Sequence, residues 1–445
     1  MNYTEKLQNV AVLGAGGKMG SGILLLTALE MVSLKLKPEN RDKTFTLHAV
    51  DVSYKNLDDL IKYIRTQALK RAEKGIVGLR EAYADREDLI ENEQVIRQYV
   101  QDVVDVIKPT THMELASEAS VVFEAVNENP ELKVKLLKQI DQNSTSQPWF
   151  FTNTSSIPIQ RLNEEAGLEG RIIGFHFYNP PAVQKLVEMI AADQTLPELK
   201  KFAEQYAGAL KKTVVHASDV AGFIGNGHFM RDALFGIQEA ERLSKEKGFA
   251  QALYQMDKVT RDFLIRPMGI FQLIDYVGID VVRFILEVMN PYFDDENLHS
   301  DLLDKIYNMG VTGGQHPGGA QKDGFLKYEK GKPVAAFDLE KKDYVDFDDF
   351  SAKEDDELGE LPKGWVPWKK MIKKKSREDE LKDYFAGLRQ LNTQGKDLAF
   401  RFGKNSKQIG EKLVNQGVAQ SASDVNTVLT TGFFHAYGPV NSYFD

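Results

Sequence analysis

The stretch Val10-Ala-Val-Leu-Gly14-Ala15-Gly16-Gly17-Lys-Met19-Gly20-Ser-Gly22-Ile23 decides the fold. A short apolar run enters a cluster of glycines, and residues 23–32 then read as a buried helix. A polar loop holding Pro38 follows, and residues 44–50 read as a second strand ending at Asp51. Strand, glycine turn, helix and strand in this order form the unit that binds dinucleotides. Its turn brings backbone N–H groups up to a pyrophosphate at a helix N-terminus. The predicted contacts are Gly14, Gly16, Gly17, Met19 and Gly20. From Gly14 the spacing is GxGxxxG, one residue longer than usual; counted back from Gly20, the first glycine place holds Ala15. A carboxylate at Asp51 would accept the adenosine ribose hydroxyls and repel a 2′-phosphate, which favours NAD over NADP. Taken singly, the loop also reads as a tight turn. Asp51 also reads as a helix cap before Val52 and Ser53.

Outward from this unit the pattern continues. Leu57, Leu60, Ile61 and Ile64 recur at helical spacing, decorated by Lys62, Arg65, Lys70, Arg71 and Lys74. A charged helical stretch runs over 87–106. Strands are predicted at 121–126, 149–152 and 172–177, with a further apolar run at 183–190 and a helix over 130–141. Alternating strand and helix predicts a doubly wound α/β domain of Rossmann type. Beyond Thr213 long helices are expected over 223–247, 254–265 and 271–288, then a Gly/Pro/His loop over 310–324. Residues 328–375 are polar, with an acidic cluster, a basic cluster, and aromatic spots that include Trp365 and Trp368. The expected division is a nucleotide-binding domain with a helical arm (1–213), a helical substrate or dimerisation domain (214–328), a partly packed charged linker (329–378) and a second helical repeat (379–445). That repeat rests on an echo. Gly248, Ala250, Gln251, Val259 and Gly269 recur as Gly417, Ala419, Gln420, Val428 and Gly438, always 169 residues on (417 against 248).

Composition narrows the function. The chain has 445 residues and no cysteine, which excludes disulfide scaffolds, thiolate metal sites and thiol nucleophiles. A net charge of -9 argues against nucleic acid as the main partner. No secretory signal and no apolar run of about 18 residues is visible, so a cytoplasmic protein without a membrane span is expected.

Two further stretches place polar groups at the edge of the sheet where open α/β folds bind ligands. Phe151-Thr-Asn-Thr-Ser155-Ser156 ends a strand in hydroxyls and an amide; it also reads as a capped loop. Gly174-Phe-His176-Phe-Tyr-Asn179-Pro180 puts a histidine in an apolar strand, and Glu188 follows a turn at Pro180 and Pro181. An imidazole held by a carboxylate suits proton abstraction from an alcohol near neutral pH. From spacing alone, His176 reads more readily as a core histidine. The spacing of the 8 histidines indicates no metal site, and no GxSxG elbow occurs.

In combination these stretches resemble the 3-hydroxyacyl-CoA dehydrogenase family. The resemblance is carried by residues 12–23, Val122-Phe-Glu-Ala-Val-Asn-Glu128-Asn with Leu132-Lys-Val-Lys135, Thr152–Ser156, 174–180 with 185–188, Ala221-Gly-Phe-Ile-Gly-Asn226, and Arg266-Pro-Met-Gly269 with 273–278. It spans residues 8 to 290, and 417–426 looks like the second helical repeat of longer members. It implies NAD-dependent oxidation of a 3-hydroxyacyl-CoA in fatty-acid β-oxidation. His176 would be the base and Glu188 its support. Ser155 and Asn226 would bind the reacting oxygen and the thioester end. Glu128, Lys135 and Asn179 would lie by the nicotinamide half of the cofactor, and Lys70 and Lys74 would grip CoA phosphates. Partners would be an acyl-CoA and a thiolase or hydratase of the same pathway. The protein would be a monomer with an internal pseudo-dimer, or a homodimer. The chain departs from the family at Ala221, Gly227 and His228 and in the glycine spacing. Two alternatives are a dehydrogenase of a free 3-hydroxy acid, such as a sugar acid or carnitine, and a non-catalytic relative that binds a partner.

Overall fold

The computed structural model describes residues 2–316 and 319–445. Pro317 and Gly318, within the predicted 310–324 loop, lie outside the described residues. The chain divides into two units between Asp219 and Val220.

The first unit is built on an eight-stranded sheet. In chain order the strands are β1 (Asn9–Leu13), β2 (Thr46–Val50), β3 (Ile107–Thr110), β4 (Val121–Glu124), β5 (Trp149–Thr152), β6 (Ile172–Phe177), β7 (Leu186–Ile190) and β8 (Thr213–Ala217). They lie in the order β3-β2-β1-β4-β5-β6-β7-β8. The first six are parallel, β7 runs antiparallel to β6, and β8 runs parallel to β7. The order reverses between β1 and β4, which is where such sheets open a ligand crevice. β4, β5 and β6 are buried at every position, and so they read as continuous apolar runs in the sequence. Rings of Phe123, Phe151, Phe175, Phe202 and Tyr206 pack together between the sheet and helix Pro197–Ala209. Burial of each contributes about 1.5–3 kcal/mol. The Thr27 hydroxyl meets that of Tyr206 at 2.7 Å, which satisfies both inside the core.

Two strands differ from expectation, and both are edges. β3 contains Pro109 and buries only Ile107; β8 alternates and is partly exposed. Neither presents the apolar run that marks a central strand. Pairing of β8 with β7 extends this unit to Asp219 rather than to 213. The helical excursion comprises Tyr54–Lys74, Ile76–Ala82 and Asn92–Asp105.

Of the long helices expected in the second unit, 223–247 is found as Gly225–Lys247. The 254–265 stretch falls across Phe249–Lys258 and the wider turn Val259–Phe263. The 271–288 stretch is split into Ile270–Val277 and Ile279–Met289 at Gly278, whose φ is +112. A further long helix, Gln394–Asn415, lies in the tail. Residues 329–378 do not behave as a linker. They carry most of an antiparallel sheet of β9 (Leu326–Glu329), β10 (Lys332–Asp338) and β11 (Asp343–Asp346), and helix Ser351–Leu358. Phe337, Phe350, Leu358 and Met371 are buried in the same core as Phe263, Phe385 and Phe402. Trp365 and Trp368 donate their indole N–H groups to the carbonyls of Asp262 and Phe434. Lys247 and Lys258 pair with Glu354 and Asp355 at 3.1 and 2.9 Å, so the acidic cluster is a contact rather than a solvated run. From Val220 onward the predicted 214–328, 329–378 and 379–445 segments therefore share one core.

Candidate active site

The glycine loop is shaped by close approaches. Gly14 adopts φ +72 and its N–H, with that of Ala15, donates to the Val50 carbonyl at 2.9 and 3.0 Å. A Cβ on Gly14 would sit 2.7 Å from the Ala125 carbonyl oxygen, and one on Gly20 would sit 2.0 Å from the Gly14 oxygen. Gly20 thus lets the helix Lys18–Lys35 pack onto the turn, while Gly17 is its N-cap and bonds back to Gly14. The extra residue in the spacing lies between Gly16 and Gly20 without displacing either contact. Gly16 donates its N–H to Asp51 Oδ2 at 3.0 Å, and a Cβ there would meet Asn56 at 2.5 Å. Asp51 Oδ1 accepts from the Ser53 N–H and the Asn56 amide. Ser53, not Asp51, supplies the side-chain cap of the following helix. Met19, on the first turn, packs against the core.

A second cluster lies at the end of β4. Glu124 is fully buried and binds Lys133 Nζ at 2.7 and 2.9 Å; Thr152 donates to it at 2.7 Å. Lys133 is also 3.3 Å from Glu128. Glu128 Oε1 accepts from the Thr154 hydroxyl at 2.6 Å and from the Ser155 and Ser156 N–H groups at 2.8 and 3.1 Å. Burial opposes the charge of Glu128, but Lys133 and these donors outweigh it and hold the carboxyl below its ordinary range. Burial likewise opposes the charge of Lys133, and Glu124 with Glu128 holds it above the usual lysine range. The resemblance pointed to Lys135, which is exposed on helix Pro130–Asn143. The lysine turned into the sheet edge is Lys133. One signal in the sequence could have found it: Lys133, Leu137 and Ile140 share the buried stripe of that helix.

The third group is carried by β6 and β7. Their antiparallel register sets His176 opposite Glu188. His176 Nδ1 lies 2.9 Å from Glu188 Oε2, and the Tyr178 hydroxyl donates to the same oxygen at 2.7 Å. Glu188 is fully buried and His176 is 8% exposed. The Asn153 side-chain oxygen accepts the Phe177 N–H at 2.9 Å, tying the Ser155 turn to this strand. Asn179 follows, half-buried.

Lys70 and Lys74 are exposed on helix Tyr54–Lys74. Lys74, Arg71 and Lys211 rim a surface cavity of about 580 Å³ floored by Leu26 and Leu29. Asn226 belongs to the second unit, one residue into helix Gly225–Lys247, and is half-buried. The first unit offers what a dinucleotide needs: a turn where a side chain would fill the space, N–H groups at a helix start, and a fixed carboxylate at the end of β2.

Comparison with known proteins agrees. Residues 9–220 match the family model described as 3-hydroxyacyl-CoA dehydrogenase, NAD binding domain, and residues 222–328 match its C-terminal domain. A Caenorhabditis elegans protein named as a probable 3-hydroxyacyl-CoA dehydrogenase is 30% identical over 329 residues, 73% of this chain and 97% of that protein. The crystal structure of FadB2 from M. tuberculosis is 26% identical with a TM-score of 0.54, covering 73% of this chain and 99% of the other. A 3-hydroxybutyryl-CoA dehydrogenase from Escherichia coli, at 21% identity and a TM-score of 0.64, shares the fold over 98% of this chain and 90% of its own. The chain belongs to the 3-hydroxyacyl-CoA dehydrogenase family, with NAD as its cofactor.

Proposed function

We propose that the protein oxidises the 3-hydroxyl of an (S)-3-hydroxyacyl-CoA to the 3-oxo ester, with His176 as general base. The observation that carries this is the 2.9 Å contact of His176 Nδ1 with the buried Glu188 carboxylate. When bound, NAD supplies the hydride acceptor for C3. In this proposal His176 directs Nδ1–H at Glu188, and Nε2 is the atom assigned to take the hydroxyl proton. Glu188 holds the ring and stabilises the imidazolium that forms. Glu128 fixes the backbone of Ser155 by its N–H. In this proposal Ser155 and Asn226 hydrogen-bond the reacting oxygen and the thioester end. Lys70 and Lys74 bind CoA phosphates. Asn179, Glu128 and Lys133, in place of Lys135, line the nicotinamide half of the cleft.

The setting we infer is fatty-acid β-oxidation, since relatives include a protein named fatty acid oxidation complex subunit alpha. A hydratase would supply the hydroxyacyl ester and a thiolase would consume the product. No described helix is long and apolar enough to cross a membrane; a cytoplasmic location is part of this proposal. Formation of NADH with 3-hydroxybutyryl-CoA, beside free 3-hydroxybutyrate and carnitine, tests the substrate class. Turnover of the free acid alone would favour the alternative. His176→Ala should lower kcat by about 10²–10⁴ with little change in NAD affinity. Asp51→Ala should erode the preference for NAD over NADP.

A further inference from the structure

The His176–Glu188 pair has a third member that its spacing did not suggest. Tyr178 stands two residues beyond His176, so both side chains leave the extended chain on the same side. Its ring lies against the imidazole, with centroids 4.8 Å apart. Its hydroxyl donates at 2.7 Å to Glu188 Oε2, the oxygen that His176 Nδ1 meets at 2.9 Å. One carboxylate oxygen therefore serves two donors inside the protein.

We propose that Tyr178 is a positioning residue that sets how strongly Glu188 supports the charged form of His176. The proposal rests on the reading of His176 as the base. A hydrogen bond from a hydroxyl to a carboxylate is short and strong, and it withdraws negative charge from the oxygen it binds. The imidazole Nδ1–H competes for that same charge. With the phenol present, Glu188 stabilises the imidazolium less than a carboxylate bound to His176 alone would. The proton taken from substrate is then released more readily. The phenol also holds Oε2 in place, and so fixes the ring that points Nε2.

Within this unit the titratable neighbours of Tyr178 include Glu188 from β7, which accepts from its hydroxyl, and His176 from β6, which lies against its ring. The register partner of Glu188 on β8 is the uncharged Val215. His216 of β8 is half-exposed and bound to Glu204. Lys212 is bound to the carbonyls of Pro181 and Gln184. Burial, and then the Glu188 charge, push the phenol well above its ordinary range, so it remains a donor across the pH range of an assay.

Tyr178→Phe keeps the ring and removes the donor. The acid limb of the kcat/KM profile should move to higher pH by about half a unit or more. The rate should fall several-fold near pH 6 and change little above pH 8. KM for NAD should stay near that of the parent protein, and the melting temperature should fall by no more than the loss of one buried hydrogen bond gives. A ring-fluorinated tyrosine at 178 is a stronger donor and should move the limb to lower pH. A limb that stays in place in Tyr178→Phe, or moves to lower pH, would overturn the proposal. So would an equal loss of rate at every pH, which is what a packing role alone gives. His176→Ala separates this from the larger reading. If that variant keeps its turnover, the base assignment falls. If it loses turnover while the Tyr178→Phe profile matches the parent, only the role of Tyr178 falls.

Discussion

Asp257 stands to Gly269 as Asn426 stands to Gly438. A Cβ on Gly269 would lie 2.2 Å from Asp257 Cγ, and one on Gly438 would lie 2.1 Å from Asn426 Cγ. Asp257 Oδ1 accepts the backbone N–H of Gln272 at 2.9 Å, and Asn426 Oδ1 accepts that of Val440, one place earlier in its own turn, at 3.0 Å. The interval between the two sets is the one that separates Gly248 from Gly417, and both of those glycines have positive φ (+96 and +70). The echo in the sequence is thus a repeated turn geometry, with the same close approach of side chain to backbone.

That geometry predicts a matched pair of outcomes. Gly269→Ala and Gly438→Ala each drive a methyl into a side chain that is hydrogen-bonded to the chain beyond. Each should destabilise the protein by about 1–3 kcal/mol, the usual cost of overpacking. Urea unfolding of both variants measures it. If the Gly438 variant unfolds like the parent protein, the two turns are not equivalent.

The tail is predicted to be inseparable from the helices before it. His228, one of the departures from the family, bonds through Nε2 to the Ser406 carbonyl at 3.0 Å. Arg266 binds Asp232 at 2.9 Å and the Ser406 hydroxyl at 3.0 Å. Leu398, Phe402 and Phe444 are buried with Phe229, Met230 and Phe263. Truncation after Tyr328 should bare this face and give a dimer or an aggregate. The full chain should run smaller than a dimer, its second repeat filling a partner's place. Light scattering on both proteins decides; a monomeric truncation of unchanged stability would refute the packing role.

How much of this was legible depended on what enforced it. The glycine loop could be read because only hydrogen fits at Gly14 and Gly20, and such steric rules leave a mark in sequence. The His176–Glu188 pairing could be suspected from a turn between them, but the antiparallel register that aligns them is a property of the sheet. The edge strands β3 and β8 stayed hidden because each is only half covered. Residues 329–378 read as a partly packed linker because their acidic cluster gives no sign that Lys247 and Lys258 lie against it. The pairing of Lys133 is not legible because a lysine on an apolar stripe looks like a surface residue until its carboxylates are seen. Tyr178 looked like one aromatic among several.

Lys133 is predicted to be structurally indispensable. Lys133→Met would leave Glu124 and Glu128 facing each other without their shared cation. Breaking a buried pair in this way costs about 3–5 kcal/mol. The pH dependence of the parent protein follows from the same cluster. The carboxyl of Glu128 is depressed in the folded state, so its contribution is present above the unfolded value near 4.5 and is lost as pH falls further. Lys133 is raised, so its contribution is complete below 10.5 and fades as pH rises past that. Thermal unfolding across pH should show a plateau between these limits, with an acid shoulder that Lys133→Met removes. An unchanged acid shoulder in the variant would rule this cluster out as its source.

The two turns also differ in the charge of the side chain that meets the glycine, Asp257 in one and Asn426 in the other, and this yields a final prediction. Burial raises the carboxyl of Asp257 to about 6, with Arg261 and the backbone donors of Gln272 and Phe271 opposing that rise. An acid whose folded value lies above its unfolded value of 3.8 resists ionisation in the native state. Its penalty is absent in acid, grows as pH passes from about 4 to about 6, and is constant above that. A gap of about two units corresponds to roughly 3 kcal/mol at neutral pH. Asn426 meets the same backbone with an uncharged amide that bonds both the N–H and the carbonyl of Val440. Asp257→Asn should therefore keep the turn and lose the penalty, at the expense of a 3.5 Å contact with Arg261. Its stability relative to the parent protein should rise between pH 4 and 6.5 and then level off. Denaturant unfolding at pH 4.5 and 8 is enough to test this. If the difference between the two proteins is the same at both pH values, the carboxyl of Asp257 ionises as freely in the folded chain as in the unfolded one.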